Sequence, residues 1–429
     1  MGVREEKMVS AGYGNRLGLA PPPATASRHA TAVDRWLARR LLEAVGEAPV
    51  AMELWDGTEV TLPGRRPEYR VRVLDRRALW SLLLDPEVNF GDLFSAGRIQ
   101  LEGDLVSFIE TAYTALERAG GGPLGRPGRL LGGRRRRNTL RGSRDNIHHH
   151  YDIGNDFYTL WLDSAHMQYT CAYFPDPALS LEAAQEAKLH HVCRKLQLRP
   201  GETVVEAGCG WGGLARFMAR HYGVTVRAYN ISEEQVKYAR ERARAEGLEG
   251  QVEYVLDDYR NIEGTHDVFV SVGMLEHVGP EHYRGLGDVI ARSMRPDGRG
   301  LIHTIGRRSP APMNGWIERR IFPGAHPPSL AEMMEIFEPQ GFAVQDVENL
   351  RLHYALTLRH WLDRFEAHVG EVREMFDEAF VRAWRLYLAG SIAAFRTSQL
   401  QLFQVLFTGP ERHDLPWSRA HLYREGTAA

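Results

Sequence analysis

The densest cluster of residues with chemical potential is a glycine-rich stretch between an apolar run and a helix-like segment. The sequence VVEAGCGWGGLARF, which begins at Val204, places four glycines within six residues. Three of them, Gly208, Gly210 and Gly213, fit the pattern G-x-G-x-x-G after a strand-like run. Such a turn lets the backbone approach a ligand closely, and parallel α/β sheets bind ligands at the carboxyl ends of their strands. The stretch therefore predicts a site for a nucleoside-containing cofactor.

The residues around this turn favour S-adenosylmethionine over a nicotinamide dinucleotide. Glu206 ends the first strand, where a carboxylate suits a cationic sulfonium ligand better than a pyrophosphate. The second strand ends in Asn230, not in the acidic residue that would hold the ribose of NAD. Asp257 and Asp258 follow the third strand-like run. These positions together predict S-adenosylmethionine, and the alternative is that the glycines only form a turn.

Strand-like and helix-like runs alternate from Thr203 onward. The strand-like runs are TVVEA, VTVRAYN, VEYVLDDY, DVFVSVG and GLIHTI, and amphipathic segments lie between most of them. This alternation predicts an α/β fold, a doubly wound and mostly parallel sheet with helices on both faces. After residues 342–347 the sequence predicts helical C-terminal additions, through the stretch FDEAFVRAWRLYLAGSIAAFRTSQLQLFQVLF.

The first 118 residues divide into a tail and a small domain. Residues 1–32 are rich in Gly, Pro, Ala and Ser, which predicts a disordered tail. A helix is predicted next, and its apolar face consists of Val33, Leu37, Leu41 and Val45. The strands AMELW and YRVRVLD and the helix ALWSLLLD follow; FGDLFSAGRIQLEGDL predicts a loop and a strand, before a helix from Leu105. We therefore expect a small α+β domain over residues 33–118.

Residues 119–145 have the composition of a linker. Seven glycines and two prolines precede Arg134–Arg137 in this segment. From Arg118 to Arg144 there are nine arginines and no acidic residue. Two interpretations stay open: a solvated flexible linker, or a basic strap that binds anionic lipid head groups with ~1 kcal/mol per arginine near the surface.

The bulk composition argues against several classes of protein. The 429 residues carry a formal net charge of −2, which disfavours a globally basic nucleic-acid-binding protein. The three cysteines cannot all pair and form no metal-type cluster, which favours a reducing cytoplasm. The consecutive His148–His150 point in different directions, so they predict no metal site. No stretch approaches the ~20 apolar residues of a membrane span or the core of a signal peptide. We expect a cytoplasmic protein without a nucleic-acid partner, whose membrane contact is peripheral.

Five motifs carry a specific family resemblance. The stretches HYDIGNDFYTLWLD, MQYTCAYF, GCGWGG, VSVGMLEHVGPEHY and LIHTIG resemble cyclopropane-fatty-acyl-phospholipid synthases, which are relatives of the mycolic acid cyclopropane synthases. The resemblance runs from Asn146 to Phe407 in the order that the family has. It implies that residues 146–429 form a class I, S-adenosylmethionine-dependent methyltransferase domain. The shorter mycolate enzymes lack a domain like residues 33–118, so its presence points to phospholipid-borne acyl chains as the substrate.

The resemblance also implies the chemistry. A methyl group passes from S-adenosylmethionine to a cis double bond in an unsaturated phospholipid acyl chain, and the resulting carbocation loses a proton and closes a cyclopropane ring. Aromatic faces, with Tyr169 and Tyr354 available, can stabilise such a cation by ~2 kcal/mol when they are desolvated. In this family the base is a bound bicarbonate ion. The implied assembly is a homodimer at the inner face of the membrane.

Two sets of site residues follow from the resemblance. The bicarbonate would be held by Cys171, Glu276, His303, the backbone of Ile305, and Tyr354. The S-adenosylmethionine would be bound by Tyr169, Thr170, Glu206, Gly208, Cys209, Gly210, Trp211, Gly212, Asn230, Ile231, Ser232, Gln235, Asp258 and Tyr259. His303 ends the strand GLIHT and Glu276 follows VSVGM, and α/β sites are built at such strand ends. Beside the anion, Glu276 can orient His303 or a shared proton.

Purely structural interpretations of these residues stay open at this stage. Cys171 can be a small buried residue, His303 a core histidine, and Glu276 a cap for the helix that follows Gly279. Cys193, inside LHHVCRKLQL, is predicted to belong to the core.

Three functions remain open from the sequence. The first is cyclopropanation, and the second is methyl transfer with loss of a different proton, which gives a methylene-branched chain or, with a reductase, a methyl-branched chain. The third is a non-catalytic lipid-binding protein, against which the intact Glu206, Gly208, Gly210, Glu276 and His303 count. A nucleic-acid methyltransferase is disfavoured, because GMLEHVG stands where a base-flipping Asn-Pro-Pro-Tyr motif would follow the fourth strand.

Overall fold

A computed structural model describes residues 29–46, 48–118 and 153–423, which divide into two units. The first unit contains the described residues up to 118 together with Asn314–Ile321 and Trp361–Thr397. The second contains residues 153–313, Phe322–His360 and 398–423. The predictions for the tail over residues 1–28, for the linker with Arg134–Arg137, and for His148–His150 lie outside the described residues.

The first unit combines helices with a small mixed sheet. Its elements are α1 (Ala32–Ala44), β1 (Val50–Glu53), β2 (Glu59–Val60), β3 (Tyr69–Val73), α2 (Arg76–Leu84), α3 (Pro86–Ser95), β4 (Ile99–Glu102), α4 (Leu105–Arg118), α10 (Gly315–Arg320), α13 (Val369–Met375) and α14 (Glu378–Arg396). The strand order is β2-β1-β3-β4, in which only β1 and β3 are parallel. Helix α14 packs against α3 and α4.

Two expectations for this unit were wrong. The stretch around FGDLFS is not a loop but part of helix α3, because Asp85 caps its first turn by accepting a hydrogen bond from Val88 N–H, and Pro86 fits the first helical position. On α1, Leu37 and Leu41 are buried as predicted, but Val33 is 54% exposed. The apolar face of α1 therefore begins one turn later than the spacing suggested.

The second unit is an α/β domain. Its elements are α5 (Asn155–Thr159), α6 (Leu181–Lys195), β5 (Thr203–Ala207), α7 (Gly213–Tyr222), β6 (Thr225–Asn230), α8 (Glu233–Ala245), β7 (Val252–Leu256), β8 (His266–Val272), α9 (Tyr283–Ser293), β9 (Met294–Gly306), α11 (Leu330–Phe337), β10 (Ala343–Asn349), the part of α12 (Arg351–Ala367) up to His360, and β11 (Gln401–Thr408). The sheet order is β10-β11-β9-β8-β5-β6-β7. Strands β5 to β9 are mutually parallel where they pair, which confirms the doubly wound, mostly parallel α/β fold.

The last strand of this sheet along the chain was not predicted from the sequence. The stretch QLQLFQVLF was assigned to the helical additions, but its residues from Gln401 onward belong to strand β11. This strand pairs antiparallel with both β9 and β10, so two antiparallel strands complete the sheet on the β9 side. Its pairing with both neighbouring strands, and not its own periodicity, makes it a strand.

Buried side chains lie on both faces of the sheet. One cluster contains Val204 and Val268, and the other contains their chain neighbours Val205 and Phe269. Successive strand residues point to opposite faces, so the two clusters are the two cores that a doubly wound sheet requires. Cys193 is fully buried in the first cluster, as predicted. None of the helices within the described residues is long and apolar enough to cross a membrane.

Candidate active site

The glycine turn connects β5 to α7 and lies against a second segment of the chain. Gly208, Gly210 and Gly212 all have positive φ, at 82°, 53° and 75°, which favours glycine at each position. A Cβ on Gly208 would lie 2.9 Å from the Cβ of Met274, so this turn contacts the segment that follows β8. That segment carries Glu276, two residues further on.

The polar residues predicted to bind the cofactor form a connected network beside the turn. Asn230 Nδ2 donates hydrogen bonds to the carbonyl of Gly210 at 3.1 Å and to Gln235 Oε1 at 2.9 Å. Ser232 N–H donates to Asn230 Oδ1 at 3.2 Å, and the Ser232 hydroxyl caps helix α8. Ile231 lies between them in the chain. The network fixes the loop after β6 against the glycine turn.

The loop after β7 contributes a buried carboxyl. Asp258 is buried, and its Oδ1 accepts a hydrogen bond from Arg260 N–H at 3.0 Å. Tyr259 begins a short 3-10 helix, and burial raises the pKa of its hydroxyl, so it stays protonated. The ends of β5, β6 and β7 thus each bring a predicted cofactor residue to the same edge of the sheet.

Four aromatic rings pack together on the glycine-turn side. The ring of Tyr158 lies 5.4 Å from that of Tyr169 and 5.1 Å from that of Trp211, and Trp161 lies 5.3 Å from Tyr169. Trp211 also donates from Nε1 to Asn155 Oδ1 at 2.8 Å. This cluster supplies electron-rich faces beside the predicted cofactor residues Tyr169 and Trp211.

Two buried ionisable groups, one acidic and one basic, lie beneath the turn. Glu206 is 2% exposed, and burial raises the pKa of its carboxyl to about 8, although Lys188 and Arg216 counteract part of this. Glu206 Oε2 has no hydrogen-bond partner among the described residues. Lys188 on α6 is fully buried, and burial lowers the pKa of its amine to about 8. An orphaned carboxyl oxygen beside a glycine turn fits a cationic ligand such as S-adenosylmethionine.

The loop that carries Thr170 and Cys171 is held by buried polar contacts. Lys188 Nζ donates to the hydroxyl of Thr170 at 3.0 Å and to Gln168 Oε1, and Ala172 N–H donates to Thr357 Oγ1 at 3.0 Å. A Cβ on Gly273 would lie 2.8 Å from Thr170 Cγ2. This loop therefore also contacts the segment after β8.

Glu276, which follows β8, contacts the backbone of β9. Glu276 Oε1 accepts a hydrogen bond from Ile305 N–H at 2.6 Å, so it does not serve as a helix cap. Glu276 is buried, and this burial raises the pKa of its carboxyl to about 7 despite the bond from Ile305. His303 lies two residues before Ile305, and its carbonyl accepts from Gly273 N–H at 2.9 Å. Glu276 Oε2 and His303 Nε2 are buried and have no partner among the described residues.

Cys171 and Tyr354 reach the same region through Leu350. The Cys171 thiol is fully buried, with Sγ 3.1 Å from the carbonyl of Ala172 and 3.9 Å from that of Leu350. The carbonyl of Leu350 also accepts from Tyr354 N–H at 3.1 Å, one turn into α12. Leu350 N–H in turn donates to Leu402, which pairs with Ile305. Burial raises the pKa of the Cys171 thiol, so it remains protonated.

The predicted sites therefore converge on one edge of the sheet. A neutral thiol and a neutral imidazole add no negative charge, and a carboxyl with a pKa of about 7 can take up a proton, so these three groups can accommodate one added anion. Glu276 Oε2 and His303 Nε2 are buried without a hydrogen-bond partner among the described residues, and a bound bicarbonate would supply partners for both atoms.

Two polar residues of this region were missing from the sequence prediction. Lys188 bonds to the loop with Thr170, and Gln404 on β11 contacts His303. A signal for Lys188 exists, since it shares the buried stripe of α6 with Leu181 and Val192. Gln404 could not be identified as a site residue from the sequence, because the stretch that contains it was predicted to be helical.

Comparisons with known proteins place the chain in a family. Residues 138–405 match the family described as mycolic acid cyclopropane synthetase. Residues 37–119 match a family described only as a domain of unknown function.

Individual relatives agree with this match. A probable fatty acid methyltransferase from Pseudomonas putida is 37% identical over 88% of this chain and 96% of its own. A cyclopropane-fatty-acyl-phospholipid synthase from Escherichia coli K12 is 44% identical over 60% of this chain and 66% of its own. Among solved structures, the mycolic acid cyclopropane synthase CmaA1 complexed with SAH and CTAB matches 62% of this chain and 98% of its own, with 30% identity and a TM-score of 0.59.

Proposed function

Because the chain belongs to the mycolic acid cyclopropane synthetase family of S-adenosylmethionine-dependent methyltransferases, we propose that it cyclopropanates unsaturated phospholipid acyl chains. The observation that carries the proposal is the pair of orphaned buried atoms on Glu276 and His303, beside a segment that contacts the glycine turn. Purified protein, incubated with S-adenosylmethionine and vesicles of unsaturated phospholipid, should add one methylene unit per acyl double bond. Unchanged lipid would contradict the proposal.

Each group of residues has a distinct task in this proposal. S-adenosylmethionine, when bound, supplies an activated methyl group, and bicarbonate, when bound, supplies a base. The glycine turn, Asn230 and Asp258 hold the cofactor, and Glu206 faces its positive charge. The rings of Tyr158, Trp161, Tyr169 and Trp211 exclude water and stabilise positive charge on the acyl chain. The anion is held by Glu276, His303, Ile305, Cys171 and Tyr354. Glu276 shares a proton with this anion.

A second candidate function is supported by the same residues. The relative from Pseudomonas putida is named a fatty acid methyltransferase, and this favours a methylene- or methyl-branched product as the alternative. Methyl transfer and stabilisation of the cation use the same groups in both reactions. The two candidates differ in the fate of the cation, which closes a ring in the first and becomes an alkene in the second.

Cofactor binding should release protons near pH 7. Glu206 has a pKa raised to about 8 and is largely protonated at that pH, whereas a cationic ligand favours its ionised form. Affinity for S-adenosylmethionine should therefore rise with pH up to about 8 and level off above it. Calorimetry at pH 7 in two buffers with different ionisation enthalpies measures the released protons directly.

The matched variant for this measurement is Glu206→Gln, which keeps the shape of the side chain but cannot titrate. It should bind the cofactor more weakly, without the proton release and without the pH dependence below 8. Equal proton release in the variant and the wild type would show that the carboxyl of Glu206 does not face the charge of the ligand.

We propose that the first unit docks on an anionic phospholipid bilayer through α1 and α2. These two helices are joined by the ion pair between Arg76 and Asp34, at 2.7 Å. They expose apolar side chains that a water-facing helix seldom shows: Trp36 is 55% exposed, Trp80 47% and Leu84 83%. Tryptophan with arginine is typical of membrane interfaces, and each arginine near an anionic surface contributes ~1 kcal/mol.

The same two helices also carry exposed arginines. Arg40 lies over the ring of Trp36, with its guanidinium carbon 5.3 Å from the ring centre. The other exposed arginines on these two helices are Arg35, Arg39 and Arg77. Contact through these charges must weaken as salt is added, while insertion of the tryptophans must not.

Changing Trp36 and Trp80 to Ser should therefore reduce co-sedimentation with vesicles of anionic phospholipid several-fold at physiological salt. Trp417→Ser is the control, because that tryptophan is fully exposed in the second unit. Changing Arg134–Arg137 to Ser in parallel measures what the linker adds. Equal binding by the double tryptophan variant and the wild type would exclude this surface.

A further inference from the structure

A row of three polar residues crosses the sheet at His303. Glu348 on β10 pairs with Gln404 on β11, and Gln404 pairs with His303 on β9. Directly paired residues on neighbouring strands point their side chains to the same face of a sheet. The three side chains are therefore neighbours, and Gln404 is the middle one.

Glu348, at the outer end of this row, is paired with two residues of helix α6. Glu348 Oε2 lies 2.7 Å from His191 Nε2 and 2.7 Å from Lys195 Nζ. Although burial raises the pKa of Glu348, these two partners lower it to about 2, so the carboxylate stays ionised. Gln404 is consequently the group of this row that sets the environment of His303.

Gln404 makes one specific contact with the histidine. It is fully buried, and its amide nitrogen Nε2 lies 3.1 Å from Nδ1 of His303. This orientation of the amide leaves Gln404 Oε1 without a hydrogen-bond partner among the described residues, and it has the nitrogen donate, so that Nδ1 accepts. Burial, followed by the positive charges of Lys188 and Lys195, holds the pKa of His303 well below 6.5. The single proton of this neutral imidazole therefore lies on Nε2.

That proton is the one that a bound anion needs. His303 Nε2 is buried and has no hydrogen-bond partner among the described residues. A buried N–H without an acceptor is destabilising, and an anion at this position would supply the missing acceptor. The opposite tautomer would present a lone pair there, and a lone pair repels an anion.

We infer that Gln404 is a positioning residue, whose amide holds His303 in the Nε2–H tautomer and so makes the histidine a hydrogen-bond donor to the bound anion. The inference rests on the proposed function, since it takes that anion to be bicarbonate. Gln404 acts only through His303 and contacts neither the cofactor nor the acyl chain in this account.

The tautomer can be measured in the resting protein by nitrogen-15 NMR of labelled histidine, with His303→Asn assigning the signal. The wild type should show a protonated Nε2 and an unprotonated Nδ1. In Gln404→Glu the carboxylate accepts from Nδ1, so the pattern should reverse, and in Gln404→Leu the preference should weaken. Gln401→Leu is the control, because it removes a buried amide from the same strand that bonds to Ser398 and Asn349 instead.

Activity provides the second readout. The bicarbonate concentration for half-maximal turnover should rise about tenfold in Gln404→Glu and Gln404→Leu, the size expected for one hydrogen bond, with unchanged affinity for S-adenosylmethionine. A wild-type His303 protonated at Nδ1, or a Gln404→Leu variant with wild-type tautomer and bicarbonate dependence, would overturn the inference. The tautomer is measured without turnover, so a wild type that forms no product would contradict the proposed function and not this inference.

Discussion

Glu276→Gln should lower turnover by ~10²-fold or more, the usual cost of losing general-base function. The amide keeps the size of the carboxyl and can still accept the hydrogen bond from Ile305 N–H, so the fold around it is preserved. It cannot take up a proton, however, and the bound anion would lose the group that shares its proton. Affinity for S-adenosylmethionine, measured by calorimetry, should stay at the wild-type value.

The pH dependence of bicarbonate binding sharpens this test. The pKa of Glu276 is raised to about 7, and a second negative charge beside it would raise the pKa further, so anion binding takes up a proton. Bicarbonate affinity should therefore fall as the pH rises above about 7 in the wild type, while the Gln variant should lack the part of this dependence that Glu276 causes.

The control is Glu281→Gln, which changes an exposed carboxyl in the same segment after β8 and should leave turnover and bicarbonate dependence unchanged. Wild-type turnover by Glu276→Gln in carbonate-free buffer would place the base elsewhere in the protein.

Gly210→Val should abolish the binding of S-adenosylmethionine. Gly210 has a φ of 53°, and a Cβ there would meet no protein atom within 4 Å, so the valine would point into open space beside Asn230 and not into the core. The ligand is expected to lie in that space, because the carbonyl of Gly210 is bonded to the network of predicted cofactor residues. The loss of binding can be measured by calorimetry.

Gly247→Val separates this effect from backbone strain. Gly247 also has a positive φ, of 70°, and open space around its Cβ, but it lies in an exposed turn after α8. Both substitutions force a side chain into the left-handed region at a cost of ~1–2 kcal/mol, so both should lower the melting temperature by a similar amount. Retained cofactor binding by Gly210→Val would remove the glycine turn from the cofactor site.

The order of strands and helices from β5 to β9 was predictable because each strand is a short apolar run, and each run is separated from the next by polar turns or amphipathic helices. Strand β11 was not, because QLQLFQVLF follows a long helix and the residues that form the strand are buried at nearly every position. An all-buried run carries no periodicity that separates helix from strand. Helix α3 was missed for another reason: the capping pair Asp85 and Pro86 was present in the sequence and was not used.

The contacts within the candidate site could be predicted where its residues end strands, and not where the residues are brought together by long-range strand pairing. Glu276 and Ile305 were predicted separately and lie in contact, since the carboxyl ends of β8 and β9 meet at one edge. The contact between Gln404 and His303 depends on the antiparallel pairing of β11 with β9, which no local pattern encodes. Lys188 occupies a position that helical spacing marks as buried, but a buried lysine cannot be distinguished from a surface lysine by residue type alone.

The most direct test of the proposed reaction uses S-adenosylmethionine with a fully deuterated methyl group and vesicles of a cis-unsaturated phospholipid. Mass spectrometry of the product acyl chain counts the transferred deuterium, and NMR shows whether an alkene remains. For cyclopropanation, two of the three deuterium atoms should be retained, the olefinic signals should disappear and ring-proton signals should appear, because one deuteron of the new methyl group leaves before the ring closes. A product with a remaining alkene, a chain that retains all three deuterium atoms, or an unlabelled chain would contradict cyclopropanation by this protein.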